Sequence, residues 1–158
     1  MLTDTGFPRA DAENDFLRAR RREVAGRVGY WLRREPGRRQ LLPLEQAVST
    51  LGRRGERRLG LQTIRLDTIV GTLDRRDFDR RFRPASNRLR SRWVNLALAQ
   101  RRGEALPPID VYRIGGCHFV EDGHHRVSIA RATRQQTIDA YVTEVLTATP
   151  AAGKLCAA

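Results

Sequence analysis

A chain of 158 residues, 40% hydrophobic and 30% charged, is long enough for one domain with its own core and too short to divide into two. Its net charge of +12 rests on 29 arginines and the single lysine Lys154 against 18 acids; so complete a replacement of lysine also reflects a GC-rich genome, so the arginine count alone overstates any case for phosphate recognition. The first sixteen residues hold four acids and no apolar run, and no segment approaches membrane-spanning length, which predicts a cytoplasmic protein with neither signal peptide nor transmembrane helix.

The charge is unevenly placed. Residues 1–60 hold 14 arginines against eight acids and residues 61–104 hold 11 against five, whereas residues 105–158 are neutral. Arginines clustered in this way gain affinity for nucleic acid by displacing its counterions, although a solvated basic surface has the same composition. Two cysteines, Cys117 and Cys156, do not make a disulfide framework and fit a reducing compartment.

In chain order, Asp11 is placed to cap a helix that Pro36-Gly37 stops, with Leu17, Val24, Val28 and Trp31 as its apolar stripe and Arg18, Arg20, Arg21 and Arg22 as a cationic cluster. A second helix is predicted over 43–51. Residues 52–60, GRRGERRLG, read as a basic loop carrying Arg53, Arg54, Arg57 and Arg58. The alternation of IRLDTIV predicts a half-buried strand over 64–70, followed by a charged turn or short helix through Asp74–Phe82. Ser86 or Asn87 opens a helix with Leu89, Trp93, Leu96 and Ala97 on one face, and Gly103 ends it. IDVYRI and CHFVE form a hairpin about Gly115-Gly116, residues 124–133 form a short helix, and TIDAYVTEV returns as a strand. This order predicts an α+β fold.

The stretch GGCHFVEDGHHR, residues 115–126, holds the chemistry. A strand ends in Glu121 and Asp122, Gly123 turns the chain, and His124, His125 and Arg126 open a helix whose unpaired N–H groups favour an anion. Arg126 can grip a phosphate bidentately, and Asp122 or Glu121 can serve as base or Mg²⁺ ligand. The bland alternative is an ordinary helix cap with stacked histidines. Cys117 and His118 fall on opposite faces of their strand, so a thiol–imidazole pair is not expected, and Cys117 reads as a buried structural residue.

IRLDTIV, the arginine-bearing turn, LPPIDVYRIGGCHFVEDGHHRVSIARAT and TIDAYVTEV together resemble the ParB/sulfiredoxin superfamily over residues 60–146. The resemblance implies a basic N-terminal helical extension over 1–59, a ParB/sulfiredoxin-like core over 60–146 and a tail over 147–158. It further implies that Gly123, His124 and His125 cradle nucleotide phosphates beside Arg126, with Arg75 or Arg76 as the family's first arginine. The implied ligand is a nucleoside triphosphate, CTP or ATP, possibly with Mg²⁺ held by Asp122. His124 stands where sulfiredoxins carry their catalytic cysteine, so that activity is not expected. The helix and DNA-binding domain that complete ParB clamps do not follow Val145.

Two functions fit. One is a nucleotide-binding module whose N-terminal arginines Arg18, Arg20, Arg21, Arg22, Arg53, Arg54, Arg57 and Arg58 touch DNA or RNA phosphates without reading bases. The other is an enzyme, a Mg-dependent phosphotransferase, NTPase or nuclease, with Asp122 or Glu121 at its centre. A helix with an apolar stripe also suits a homodimer.

Overall fold

The computed structural model describes residues 4–34 and 40–150. The predicted stop at Pro36-Gly37 and Cys156 lie outside them. Helix α1 (Pro8–Leu32) begins on a proline, whose fixed φ suits the first turn. Asp11 is not its cap. It lies buried inside the first turn and accepts hydrogen bonds from the Thr5 N–H (3.0 Å) and hydroxyl (2.7 Å), tying down the incoming chain.

The stripe that α1 buries is Ala12, Phe16, Ala19 and Glu23. The expected one, Leu17, Val24, Val28 and Trp31, faces solvent, with Trp31 73% exposed. Both sets recur at helical spacing, and packing chose between them. Ala12 and Ala19 let the helix approach closely while Phe16 meets Trp93 edge-on, ring centroids 5.7 Å apart.

Strand β1 (Leu42–Pro43) leads into helix α2 (Leu44–Leu51). The expected basic loop is then a strand: β2 runs Arg53–Arg65 and pairs antiparallel with β6 (Thr137–Thr147) from Arg53–Thr147 to Arg65–Thr137. The glycines that suggested a loop sit instead at its irregularities, where the register shifts between Arg53 and Gly55 and again between Arg58 and Gly60. The strand expected over 64–70 is likewise broken, by a 3-10 turn at Leu66–Thr68 before β3 (Ile69–Thr72).

The charged segment that follows is irregular. Ser86 caps a short 3-10 turn by accepting from the Arg88 N–H (3.2 Å), and helix α3 (Arg90–Arg101) continues from it with Trp93, Val94 and Ala97 inward. The hairpin of β4 (Ile109–Ile114) and β5 (Cys117–Asp122) turns at Gly115-Gly116, both with positive φ, as two-residue hairpins require. Helix α4 (His124–Ala132) then leads to β6.

The fold is α+β: the described residues form four α-helices and one mixed six-stranded sheet in the order β1-β3-β5-β4-β6-β2. Helices α1, α3 and α4 share a core with one face, through Phe16, Trp93, Val111, Val120, Val127 and Val142. Helix α2 covers the other through Leu44, Val48, Phe119 and Val145. Residues before position 60 thus lie in the same cores as the segment after it.

The chain passes from β2, at one edge of the sheet, to β3, four places away, through three residues. In a flat sheet that step is about 19 Å, and the connection reaches about 14 Å. The sheet therefore curls. Arg131 of α4 fastens the crossing by donating to the Leu66 (2.9 Å) and Ile69 (2.8 Å) carbonyls, its guanidinium 5.1 Å from the Phe82 ring centroid.

Candidate functional site

Strand β5 is central and buried, and its last two residues, Glu121 and Asp122, emerge exposed at the edge of the core. Gly123 follows with φ 103° and packs so closely on Ile109 that a Cβ would collide with its side chain. Both facts require glycine at this turn. No side chain caps α4, so its first-turn N–H groups point toward the space beyond the turn.

The arginine-bearing turn after β3 lies against the same helix start. Thr72 Oγ1 accepts from the Arg75 N–H (3.1 Å) and lies 2.7 Å from His124 Nε2, so one hydroxyl joins the two turns. Strands β3 and β5 run parallel side by side, which places both C-terminal ends together. The Arg75 guanidinium forms a two-pronged bond with Asp77 (3.0 and 2.7 Å), while Arg76 is exposed.

The histidines point inward. His124 stacks on Phe78 (5.9 Å) and lies against Phe82, and His125 meets Phe78 edge-on (5.2 Å). Burial, then Arg75, pushes His124 down from 6.5 to about 4; burial, then Arg92 and Arg75, does the same to His125. Both are neutral at pH 7. Only their backbone is available to an anion, and the His125 Nε2, in a residue 7% exposed, has no hydrogen-bond partner.

Arg126 is committed elsewhere. Its Nη1 donates to the Pro107 (2.7 Å) and Pro108 (2.5 Å) carbonyls and its Nη2 to Asp122 (2.5 Å). Its side chain is 10% exposed, against 61% for Asp122. It borders a cleft of about 270 Å³ that also holds Glu104 and Asp139, so acids rather than cations gather there. Arg126 therefore anchors the loop before β4, and Arg75, tied to Thr72 by its N–H, lies with Arg92 near the histidines of the turn.

Cys117 and His118 form no thiol–imidazole pair. Cys117 faces the α2 side and His118 the other, where its Nδ1 lies 2.8 Å from Thr68 Oγ1. Cys117 is nevertheless not the unpaired residue expected of a reducing compartment: it is disulfide-bonded. The described residues hold no cluster of three or more His, Cys, Asp or Glu side chains suited to a metal ion. Asp122, the expected Mg²⁺ ligand, is ion-paired with Arg126.

The arginines expected to meet nucleic acid fall on two elements. On α1, Arg18, Arg21 and Arg22 are exposed, while Arg20 bonds Glu23 (2.9 Å), Asn87 (3.3 Å) and the Pro84 carbonyl (3.1 Å). On β2 all four arginines are exposed, with Arg53 paired to Glu56 and Arg57 to Glu144 (2.6 Å). Thr72 and Phe78 are the site residues that the sequence reading passed over. Only the pairing of β3 with β5 reveals that they touch the DGHHR turn.

No family model, curated protein or solved structure matches the chain. No helix among the described residues is long and apolar enough to cross a membrane.

Proposed function

We propose that this protein is a phosphate-binding module of the ParB/sulfiredoxin kind, taking a nucleotide at the turn between β5 and α4 and contacting nucleic acid through exposed arginines of α1 and β2. The observation that carries the nucleotide reading is the single hydroxyl of Thr72, bonded at once to the backbone of the arginine turn and to His124 of the DGHHR turn. It sets a cationic side chain beside an uncapped helix start, and such a start supplies N–H groups and partial positive charge to an anion. The phosphate ligands are then the backbone of residues 123–125 and the Nη1 of Arg75, whose Nε and Nη2 are held by Asp77, with Arg126 holding the turn in shape from behind.

Binding without turnover is favoured over catalysis because Asp122 is ion-paired with Arg126, Asp77 with Arg75, and Glu121 faces a different hollow beside Tyr112 and Tyr141. A phosphotransferase or nuclease would need Asp122 released to act as base or to meet Mg²⁺. When bound, Mg²⁺ would screen phosphate charge.

Calorimetric titration with ATP, CTP and GTP, with and without Mg²⁺, tests both readings. Saturable binding of at least one nucleotide is expected, weakened tenfold or more by Arg75→Ala and unchanged by Asp122→Ala. Metal-dependent hydrolysis abolished by Asp122→Ala would establish the enzyme instead, and silence from all three nucleotides would end both.

A further inference from the structure

A second basic site lies at the other end of α4. A cleft of about 390 Å³ opens between α1 and the C-terminal half of α4, floored by the small residues Ala19, Ser128 and Ala132. Six arginines line it from four segments of chain: Arg18 and Arg22 on α1, Arg81 and Arg83 on the turn after β3, Arg131 on α4 and Arg134 just beyond it. The lone carboxylate in the lining, Asp15, is already ion-paired with Arg101.

Three local costs are spent on this arrangement. Phe82, between Arg81 and Arg83, has φ +56°, and Arg134 has φ +60° at the position after a helix where glycine or asparagine is the easy choice. Gly26 interrupts the middle of α1, where glycine is unfavourable, and a Cβ there would stand 2.5 Å from Arg83 Nη2. That gap lets Arg83 lie over the helix and donate to the Arg22 carbonyl (2.5 Å) while holding Asp79 (2.6 Å). Like charges crowded around one concavity repel each other in the empty protein, and an anion relieves that repulsion. Ser128 Oγ, in the cleft lining, accepts from the Trp93 indole (2.9 Å), which ties the cleft wall to the core.

We propose that the α1–α4 cleft binds a small ligand bearing several closely spaced phosphates. The six arginines border one cleft from several sides, Arg83 held by Asp79 and Arg131 by the Leu66 and Ile69 carbonyls while Arg18, Arg22, Arg81 and Arg134 stand exposed around it, which matches a compact polyphosphate chain; a nucleic-acid backbone is better served by a stripe along an open surface. The site is separate from the β5–α4 turn and does not depend on it.

Inorganic tripolyphosphate is the probe, titrated into the full chain by calorimetry at 0.15 M salt. Arg81 and Arg134 are exposed and enter no ion pair among the described residues, so Arg81→Ala/Arg134→Ala tests the cleft at little risk to the fold. The wild type binds, the double variant binds at least tenfold more weakly, and Arg75→Ala binds as the wild type does. Gly26→Ala, which pushes Arg83 aside while favouring the helix, weakens binding too and serves if the double variant melts early by circular dichroism. Equal binding by wild type and both cleft variants, or none by the wild type, overturns the proposal. So does dependence on Arg81 and Arg134 that appears with a single-stranded oligonucleotide but not with tripolyphosphate.

Discussion

Three histidines are buried and neutral, and each is a liability in acid. Burial, followed by Arg113, lowers His118 from 6.5 to about 4, matching His124 and His125. Between about pH 6.5 and pH 4 the unfolded chain takes up protons that the folded chain refuses, so stability falls as pH falls through that window and levels off below it. For His118 alone the loss is on the order of 3 kcal/mol. Urea unfolding at pH 7.5, 6 and 5 should show the decline, and His118→Gln should shrink it by roughly a third, leaving the share of His124 and His125. Gly123 makes a second test at this scale. Alanine there meets Ile109 and adopts a positive φ, which costs about 2–4 kcal/mol by the sum of overpacking and backbone strain. A melting temperature within a degree of wild type would contradict that reading.

Among the elements, β2 shows how pairing overrules composition. GRRGERRLG has the glycine and arginine content of a loop, yet β6 offers it a full antiparallel partner and the glycines absorb the mismatch as bulges. Among the described residues its outer edge is unpaired, since β2 ends the sheet. Exposed Arg54 and Arg58 keep that edge charged, which discourages edge-to-edge association whether or not they also touch nucleic acid. Arg54→Val/Arg58→Val is expected to form larger, concentration-dependent species in size-exclusion chromatography with light scattering. If it remains monodisperse, the bulges alone protect the edge. On α1 the same competition ran the other way: the larger apolar set stayed outside, flanked by arginines, because the smaller one packs closer to α3.

For the whole molecule, the decisive fact is that α1 is not an appendage. Phe16 and Ala12 are fully buried in the core that also holds Trp93, Val120 and Val142. Deleting residues 1–40 removes that cover, so the remaining chain should lose its cooperative thermal transition, with Trp93 fluorescence shifted to the red. A truncated chain that melts as sharply as the full one would show the rest to be self-sufficient. The two basic sites proposed above also belong to this scale, one at each end of α4, and neither exists in any single segment.

The sequence by itself determined what local chemistry dictates. Gly115-Gly116 had to be a tight turn between two alternating runs, Leu89, Trp93 and Ala97 had to share a helix face, and Asp122-Gly123 had to carry a strand into a helix. Those patterns repeat over two to four residues, and the forces behind them act at that range. Tertiary structure decided everything that depended on a partner distant in sequence. It chose which stripe of α1 to bury, made a strand of a glycine-rich basic segment, gave Arg126 to the Pro107 and Pro108 carbonyls, joined Thr72 to His124, and gathered arginines from positions 18 to 134 around one cleft. Each of these outcomes rests on contacts whose free energy exceeds the local preference, and no local pattern announces a contact that the chain makes only once it has folded.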